Sequence, residues 1–250
     1  APESSRSTCP MMRNLVQNQQ KIKKLAAGKN FLTSELKNWF HTELIFISSN
    51  IEKIKISRQQ AQEIVAQYPQ FKPINKSNKD LLQAKGQKIA LEFVEELASQ
   101  SDSVDIYTIK EIHKMIVGEA WPEIAGVSRQ ENIEVRKSIF LPPHYSRVSE
   151  EMYFLDQYLS ETQKTLSSEN LEGVLEFATS AHYRLVSIHP FRDGNGRVAR
   201  VVYNLIFRRY GYPYVLLPKT ENDKEMWQGL QLANKGDLSK LIDLSKKLLG

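Results

Sequence analysis

The chain has 250 residues, of which 41% are hydrophobic and 25% are charged, and its formal net charge at pH 7 is +5. This composition is typical of a globular protein with a sizeable core, and it excludes the disordered and collagen-like classes. Cys9 is the only cysteine, so an intrachain disulfide is excluded and a cytoplasmic location is expected. We expect no membrane partner, because the sequence has neither a membrane-spanning apolar run nor a signal peptide. The chain begins with Ala1, however, so a targeting segment could have been trimmed away.

The excess positive charge lies within the first 30 residues. Glu3 is the one acidic residue there, against six basic residues: Arg6, Arg13, Lys21, Lys23, Lys24 and Lys29. This distribution predicts a basic, partly disordered N-terminal arm over residues 1–30 rather than a groove for nucleic acid, which we do not expect as a partner. Residues 31–250 are then predicted to form one domain.

Apolar residues at spacings of three and four predict a mostly helical domain. The predicted helices cover residues 31–52, 58–66, 79–99, 107–117, 149–164, 170–187, 195–210, 222–233 and 237–248. The first of them carries Ser48 and Glu52, which are four residues apart and therefore lie on the same face. A glutamate on a helix is most often a solvated surface residue, so this pair alone does not predict a function.

One segment has the alternating pattern of β-strands. Four apolar residues flank the polar turn at 136–138: Ile133, Val135, Ile139 and Leu141. The pattern predicts a β-hairpin over about residues 131–143, which gives the expected fold class: an all-α bundle with one short hairpin. The edge of such a hairpin can pair with an extended segment of a partner, although a surface hairpin without a partner is an alternative.

Candidate catalytic and ligand-binding residues are concentrated between His189 and Arg200, in the sequence HPFRDGNGRVAR. Gly194 and Gly196 predict a turn at the start of a helix. The first N–H groups of that helix lack intrahelical partners and can bind an anion, and the glycines allow the anion to approach the backbone closely. Asp193 supplies a hard oxygen ligand of the kind that Mg²⁺ prefers. His189 can take up a proton near neutral pH. The pattern predicts a phosphate-handling site, although a simple loop and helix cap would have similar local features.

The helix that follows extends this site. Arg197, Arg200 and Asn204 recur at spacings of three and four, so two guanidinium groups and one amide can reach the same ligand. Phe191 is expected to be a packing residue that fixes the loop. The other histidines lack the spacing of metal ligands and are expected to be surface or packing residues: His41, His113, His144 and His182.

The segment from His189 to Arg200 resembles the signature of Fic domains, His-x-Phe-x-Asp/Glu-Gly-Asn-Gly-Arg-x-x-Arg, and every specified position is filled. The resemblance covers about residues 31–220 and implies an all-α core. Most members of that family transfer AMP from ATP to a protein hydroxyl. The implied partners are therefore ATP, Mg²⁺ and a target protein bearing a Ser, Thr or Tyr hydroxyl, while a homo-oligomer stays open.

The resemblance also implies roles for individual residues. His189 would be the general base and Asp193 the Mg²⁺ ligand. The remaining positions would bind the nucleotide: Gly194, Asn195 and Gly196 at the α- and β-phosphates, Arg197 at the β-phosphate, Arg200 at the γ-phosphate and Asn204 near the base. For Asn204, a buried helix amide is an alternative.

Two further segments resemble Fic elements. Ser48 and Glu52 are similar to the family's inhibitory motif, which implies that Glu52 pairs with Arg200 and restrains ATP binding. The inhibitory helix is expected over about residues 31–54. Lys53 departs from the family's Gly or Asn at that position, so the helix could run further. The hairpin resembles the flap that covers Fic active sites and docks targets.

Within this family the same site could serve other reactions. It could transfer another nucleotide or phosphocholine, because a turn that binds phosphates does not itself recognise the base or choline attached to them. It could also remove AMP from a protein, with Glu52 orienting a water molecule. A catalytically silent interaction module is a further alternative. Loss of His189 or Asp193 would have indicated such a module, and both residues are present.

Overall fold

The structure is a computed structural model that describes residues 33–75, 77–100, 103–134, 141–217 and 224–249. Within these ranges the chain is helical, and no residue lies in a β-strand. The α-helices are α1 (Ser34–Ile51), α2 (Arg58–Ala66), α3 (Lys79–Gln100), α4 (Ile106–Val117), α5 (Val148–Thr165), α6 (Leu171–Ile188), α7 (Asn195–Arg209), α8 (Lys224–Ala233) and α9 (Ser239–Leu249). Short 3₁₀ turns at Pro122–Ile124 and Tyr145–Arg147 had no counterpart in the prediction.

The predicted all-α class and the predicted helices are confirmed, with bounds that differ by at most three residues. The first helix begins at Ser34 rather than residue 31, because the Thr33 hydroxyl accepts a hydrogen bond of 3.3 Å from the Leu36 N–H and caps it. Of the predicted hairpin, residues 131–134 and 141–143 are described and form no strand. Val135 and Ile139 lie outside the described residues, as does the predicted arm at 1–30.

Helix α7 is the centre of the bundle. It packs against α6, α3, α4 and α1, and apolar residues cover several of its faces. Val198, Val202, Leu205 and Ile206 are almost completely buried, and each such side chain stabilises the fold by about 1.5–3 kcal/mol. The N-terminus of α7 is therefore held in place by the core of the protein.

Helices α3 and α4 approach each other closely at Gly86. A Cβ atom at this position would overlap the carbonyl oxygens of Met115 and Ile116, so only glycine allows this distance. The close packing holds the C-terminal half of α4 in the core, where His113 and Val117 lie against Gly194 at the start of α7.

A buried polar network fixes α1 to the rest of the bundle. The Lys88 ammonium lies 2.9 Å from His41 Nδ1 and can only donate, so His41 carries its proton on Nε2. That Nε2–H donates to the Tyr214 hydroxyl at 2.9 Å, and the hydroxyl donates to Glu95 at 2.6 Å. Burial and the charge of Lys88 hold the pKa of His41 well below its ordinary value. The middle of α1 is thus held by neutral imidazole contacts with α3 and with residues that follow α7.

None of the described helices has both the length and the apolar character needed to cross a membrane.

Candidate active site

The loop between α6 and α7, residues 189–194, brings the predicted site residues together and is called the motif loop below. His189 ends α6 with φ 51° and ψ 59°, a left-handed conformation that costs a residue with a Cβ atom about 1–2 kcal/mol. Gly194 precedes α7 with φ 82°, which glycine adopts without that cost. Two left-handed residues therefore reverse the chain between α6 and α7.

His189 has the protonation pattern of a general base. Its Nδ1 lies 3.2 Å from the Val186 carbonyl oxygen, which can only accept, so Nδ1 carries the proton and Nε2 keeps a lone pair. Burial lowers its pKa below the ordinary value, and the charge of Arg129 acts in the same direction. The Val186 hydrogen bond and the charges of Glu52 and Asp193 oppose this shift without reversing it. The imidazole is consequently neutral at pH 7 and able to accept a proton.

His113 braces the motif loop from α4. Its ring stacks on Phe191 with centroids 3.8 Å apart and an interplanar angle of 3°. The Gly126 N–H donates to His113 Nδ1 at 2.9 Å, so the opposite nitrogen carries the proton and donates to the Asp193 carbonyl oxygen at 3.0 Å. Burial lowers the pKa of His113 to about 4, which keeps the ring neutral. Phe191 is a fully buried anchor, as expected, whereas the link from His113 to the loop was not predicted.

Two asparagines use their side chains to hold backbone. Asn195 accepts from the Phe191 N–H at 2.8 Å and donates to the Phe191 carbonyl at 2.7 Å. Asn204 accepts from the Val215 N–H at 2.7 Å and donates to the carbonyl oxygens of Val215 and Arg200. Both amides are buried and engaged at both ends. For Asn204 the structure therefore shows the buried amide that was the alternative, and the Asn195 side chain is bonded to the backbone of the motif loop.

Asp193 and Arg197 form an ion pair at the start of α7. The Arg197 Nη2 lies 3.0 Å from Asp193 Oδ1, and its Nη1 donates to the Gln83 side chain of α3. Arg197 is 1% exposed, whereas the Asp193 side chain is 49% exposed. The buried guanidinium is thus fixed by two partners, and Gln83, which no sequence motif marks, is one of them.

The same region fits a magnesium ion bound with a nucleotide. Mg²⁺ is commonly held by one or two protein carboxylates together with substrate phosphates, so Asp193 can suffice as a protein ligand. Its half-exposed carboxylate lies next to Gly194 and to the N-terminal turn of α7, where phosphate oxygens would lie.

Arg200 is bound by the end of α1. It donates from Nη2 to Glu52 Oε1 at 2.6 Å and from Nε to the Ser48 hydroxyl at 2.9 Å. The Glu52 carboxylate also lies against Gly196, where an added Cβ atom would collide with it. A carboxylate from α1 therefore stands at the N-terminal turn of α7, in the position where that turn can bind an anion.

The charges around Glu52 favour its ionised form. Burial on its own would raise the pKa of Glu52, whereas the charge and the hydrogen bond of Arg200 lower it. Arg197 and His189 contribute in the same direction, and the resulting pKa lies below the ordinary value. Glu52 is therefore a carboxylate at neutral pH and remains paired with Arg200.

Helix α1 ends at Ile51, so the continuation that Lys53 left open does not occur. The Ile54 N–H donates to the Ser49 carbonyl at 2.9 Å and the Lys53 N–H to the Asn50 carbonyl at 3.2 Å, the two bonds of a Schellman motif. Lys53 occupies its left-handed position with φ 60°. This turn ends the helix and leaves Glu52 beside Arg200.

The segment at 131–143 is described only at its two ends. Ile133 is half-buried, and Leu141 is 86% exposed. The exposed Leu141 side chain leaves apolar surface in contact with solvent at one end of the predicted flap.

Comparisons with known proteins agree with this arrangement. Residues 103–207 match the model of the Fic/DOC family. Protein adenylyltransferase fic-1 of Caenorhabditis elegans is 37% identical over 146 residues, which are 58% of this chain and 27% of that protein. Protein adenylyltransferase Fic of Nematostella vectensis is 37% identical over 155 residues, 61% of this chain and 34% of that protein. The chain thus spans about a third of these curated relatives, or less.

Solved structures extend the likeness beyond the matched segment. The structure of residues 134–508 of Fic-1 from C. elegans superimposes with a TM-score of 0.69 and 27% identity, covering 96% of this chain and 69% of that one. A Fic domain containing signaling protein from Bacteroides thetaiotaomicron gives a TM-score of 0.73 at 23% identity, covering 92% and 91%, and supports the fold alone.

The helical bundle, with the motif loop before its central helix, is similar to the Fic class of domain. The family match falls on the helices that carry this loop, so residues 103–207 are similar to a Fic/DOC domain in both sequence and fold.

Proposed function

We propose that this protein is an adenylyltransferase that moves AMP from ATP to a Ser, Thr or Tyr hydroxyl of a target protein. The observation that carries the proposal is the neutral His189, which keeps a lone pair on Nε2 at the start of the motif loop that leads into the N-terminus of α7. The names of the curated relatives support the same activity.

In the proposed reaction the target hydroxyl oxygen attacks the α-phosphorus of ATP. A bond forms between that oxygen and phosphorus, the bond from the α-phosphorus to the bridging oxygen breaks, and pyrophosphate leaves. The hydroxyl proton passes to His189 Nε2. The enzyme has to position the two reactants and offset negative charge, and the base itself contributes about 10²–10⁴-fold.

The start of α7 supplies the phosphate contacts. The backbone N–H groups of Asn195 and Gly196 lack intrahelical partners and face the α- and β-phosphates. Arg197 would contact the β-phosphate and Arg200 the γ-phosphate through their forked donors. Asp193 would hold Mg²⁺, which offsets charge on the phosphate oxygens when it is bound.

The pairing of Glu52 with Arg200 supports an inhibited ground state. Glu52 uses the guanidinium that the γ-phosphate needs and places negative charge at the helix N-terminus, where it repels the phosphates. Ser48 strengthens this arrangement by accepting from Arg200 Nε. Release of Glu52 would free both the arginine and the space beside Gly196.

The segment at 131–143 is the proposed docking site for the target. An extended target strand that pairs with a hairpin edge would be held by main-chain hydrogen bonds, with little demand on its sequence. Ile133 and Leu141 of the described ends, with Val135 and Ile139 between them, are the proposed apolar contacts.

The test is to incubate the wild type, Glu52→Gly and His189→Ala with Mg²⁺ and ATP, and to follow added AMP on the protein itself by intact mass spectrometry. We expect strong self-modification in Glu52→Gly, weak modification in the wild type and none in His189→Ala. Glu172→Gly is a matched control, because Glu172 pairs with Lys246 away from the site. Its modification should equal that of the wild type.

The other outcomes refute defined parts of the proposal. Absence of AMP transfer by Glu52→Gly to itself and to proteins of a cell extract, despite measurable ATP binding, would contradict AMP transfer. Parallel reactions with other nucleotides and with a phosphocholine donor would then reveal a different transferred group. Loss of AMP from a modified protein on addition of the wild type would show the reverse activity.

A further inference from the structure

We propose that Arg129 is a positioning residue that connects the turn at His189 to both ends of the segment at 131–143. The catalytic part of this inference rests on the proposed function. The connection itself rests on four hydrogen bonds from one residue outside the Fic signature.

The guanidinium of Arg129 is bound by backbone carbonyls rather than by acids. Its Nε donates to the His189 carbonyl at 2.8 Å, Nη1 to the Glu131 carbonyl at 2.9 Å and Nη2 to the Pro143 carbonyl at 2.6 Å. Arg129 is 4% exposed, and among the described residues no carboxylate lies within ion-pair distance of it. A buried cation without a counter-ion is costly, so these carbonyl contacts have to be maintained.

On one side Arg129 stabilises the strained turn that presents the imidazole. The Arg129 backbone N–H donates to the Pro190 carbonyl at 2.8 Å, in addition to the bond from Nε to the neighbouring His189 carbonyl. The last carbonyls of a helix lack intrahelical donors and favour a positive charge, and α6 ends here. Arg129 therefore satisfies the end of α6 and holds His189 in its left-handed conformation.

On the other side the same guanidinium holds the two ends of the proposed docking segment together. Glu131 and Pro143 lie at opposite ends of it, yet their carbonyl oxygens bind adjacent nitrogens of one planar group. Three carbonyls around one plane match the fixed fork of arginine, which an ammonium group cannot reproduce. A target bound at this segment is thereby held at a fixed distance from the base.

The first test compares Arg129→Lys and Arg129→Met in the Glu52→Gly background. We expect the kcat of AMP transfer to fall about 10-fold or more in both variants, while the Kd for ATP, measured by calorimetry, changes less than about 2-fold. Arg147→Met is the matched control, because this nearby arginine is exposed and pairs with Glu151. Its kcat should stay unchanged.

The second test does not depend on activity. Limited trypsin digestion of the full chain, followed by mass spectrometry, reports cleavage after Arg136 and Lys137, which lie between the two ends that Arg129 holds. We expect cleavage there to be faster in both Arg129 variants than in the parent and in Arg147→Met. Should Arg129→Met fail to fold, the Lys variant decides.

Unchanged kcat together with unchanged cleavage in folded Arg129 variants would overturn the inference. Equal losses of ATP affinity and kcat would also overturn it, since they indicate a general structural role. An inactive Glu52→Gly parent would refute the proposed function instead, and the cleavage rates would still decide whether Arg129 holds the segment.

Discussion

Glu52 and Arg200 are 148 positions apart in the sequence, yet a charge-assisted hydrogen bond of 2.6 Å joins their side chains. The two residues come from different parts of the fold, the end of α1 and the second turn of α7. Their contact connects a helix outside the Fic/DOC match to the N-terminal half of the central helix, where the phosphates are proposed to bind. The strength of this contact therefore controls access to the site in the proposed function.

Ser48→Ala should weaken this contact without removing it. The substitution deletes the hydroxyl that accepts from Arg200 Nε, while the bond to Glu52 remains. A buried hydrogen bond contributes about 0.5–1.5 kcal/mol, so basal self-modification should rise about 2- to 10-fold, well below the rise in Glu52→Gly. Asn50→Ala is the control, because Asn50 is exposed and its side chain bonds only to the Phe46 carbonyl within α1. Equal rates for Ser48→Ala and the wild type would remove Ser48 from this role.

Lys53→Gly should stabilise the end of α1. Lys53 holds the left-handed position of the Schellman turn, and glycine adopts this conformation without a Cβ penalty. We expect the free energy of unfolding to rise by about 1 kcal/mol, which corresponds to about 2–4 °C in Tm, and basal transfer to fall. Lys55→Gly, at a nearby exposed position without a positive φ, should bring no such gain. A lower Tm for Lys53→Gly would contradict this account.

Two glutamines of α3 should have separable effects. Gln83 accepts from Arg197, whereas Gln87, one turn later, donates to the buried Ser49 of α1 at 3.0 Å. In the Glu52→Gly background, Gln83→Met should lower kcat/KM for ATP about 10-fold, since it leaves a buried Arg197 donor without its partner. Gln87→Met should leave that value unchanged and raise basal transfer in the otherwise wild-type chain. If the two variants behaved alike in both backgrounds, this division of roles would be wrong.

The pH dependence of His189 follows from its surroundings. Burial lowers its pKa below 6.5, so the neutral base should persist to a more acidic pH than an ordinary histidine allows. Glu52 raises this pKa, and its removal should lower the value further. Histidine NMR titration of the wild type and Glu52→Gly provides the measurement, with His144→Gln used to assign an exposed signal. A His189 pKa at or above 6.5 in the variant would contradict the prediction.

The sequence predicted the helices and the motif loop because their signals are local. Apolar spacing marks α6 and α7, and the glycines at 194 and 196 mark the turn between them. The end of α1 at Lys53 was harder to predict, because lysine disfavours a left-handed conformation. The hydrogen bonds that end α1 outweigh that cost.

The residues that support the site could not be found in the same way. Gln83 and Arg129 contact the site across 114 and 60 positions of sequence, and neither belongs to a recognisable pattern. The sequence likewise predicts His113 only as a surface or packing residue, whereas its ring nitrogens bond to the backbone of Gly126 and Asp193. These contacts depend on how the helices pack against one another. The spacing of residues within one segment does not predict that packing.

The anchoring of His41 in the middle of α1 bears on how quickly the site can open. Since that contact holds the middle of the helix to the core, unwinding of the last turn after Ser48 alone would suffice to separate Glu52 from Arg200. Motions of helix ends take nanoseconds to microseconds, whereas typical enzyme turnover takes milliseconds or longer. Opening would then be at equilibrium throughout each catalytic cycle, and the basal rate would measure the fraction of molecules that are open. In the proposed function, a partner that binds this one helix turn would therefore change the basal rate of AMP transfer.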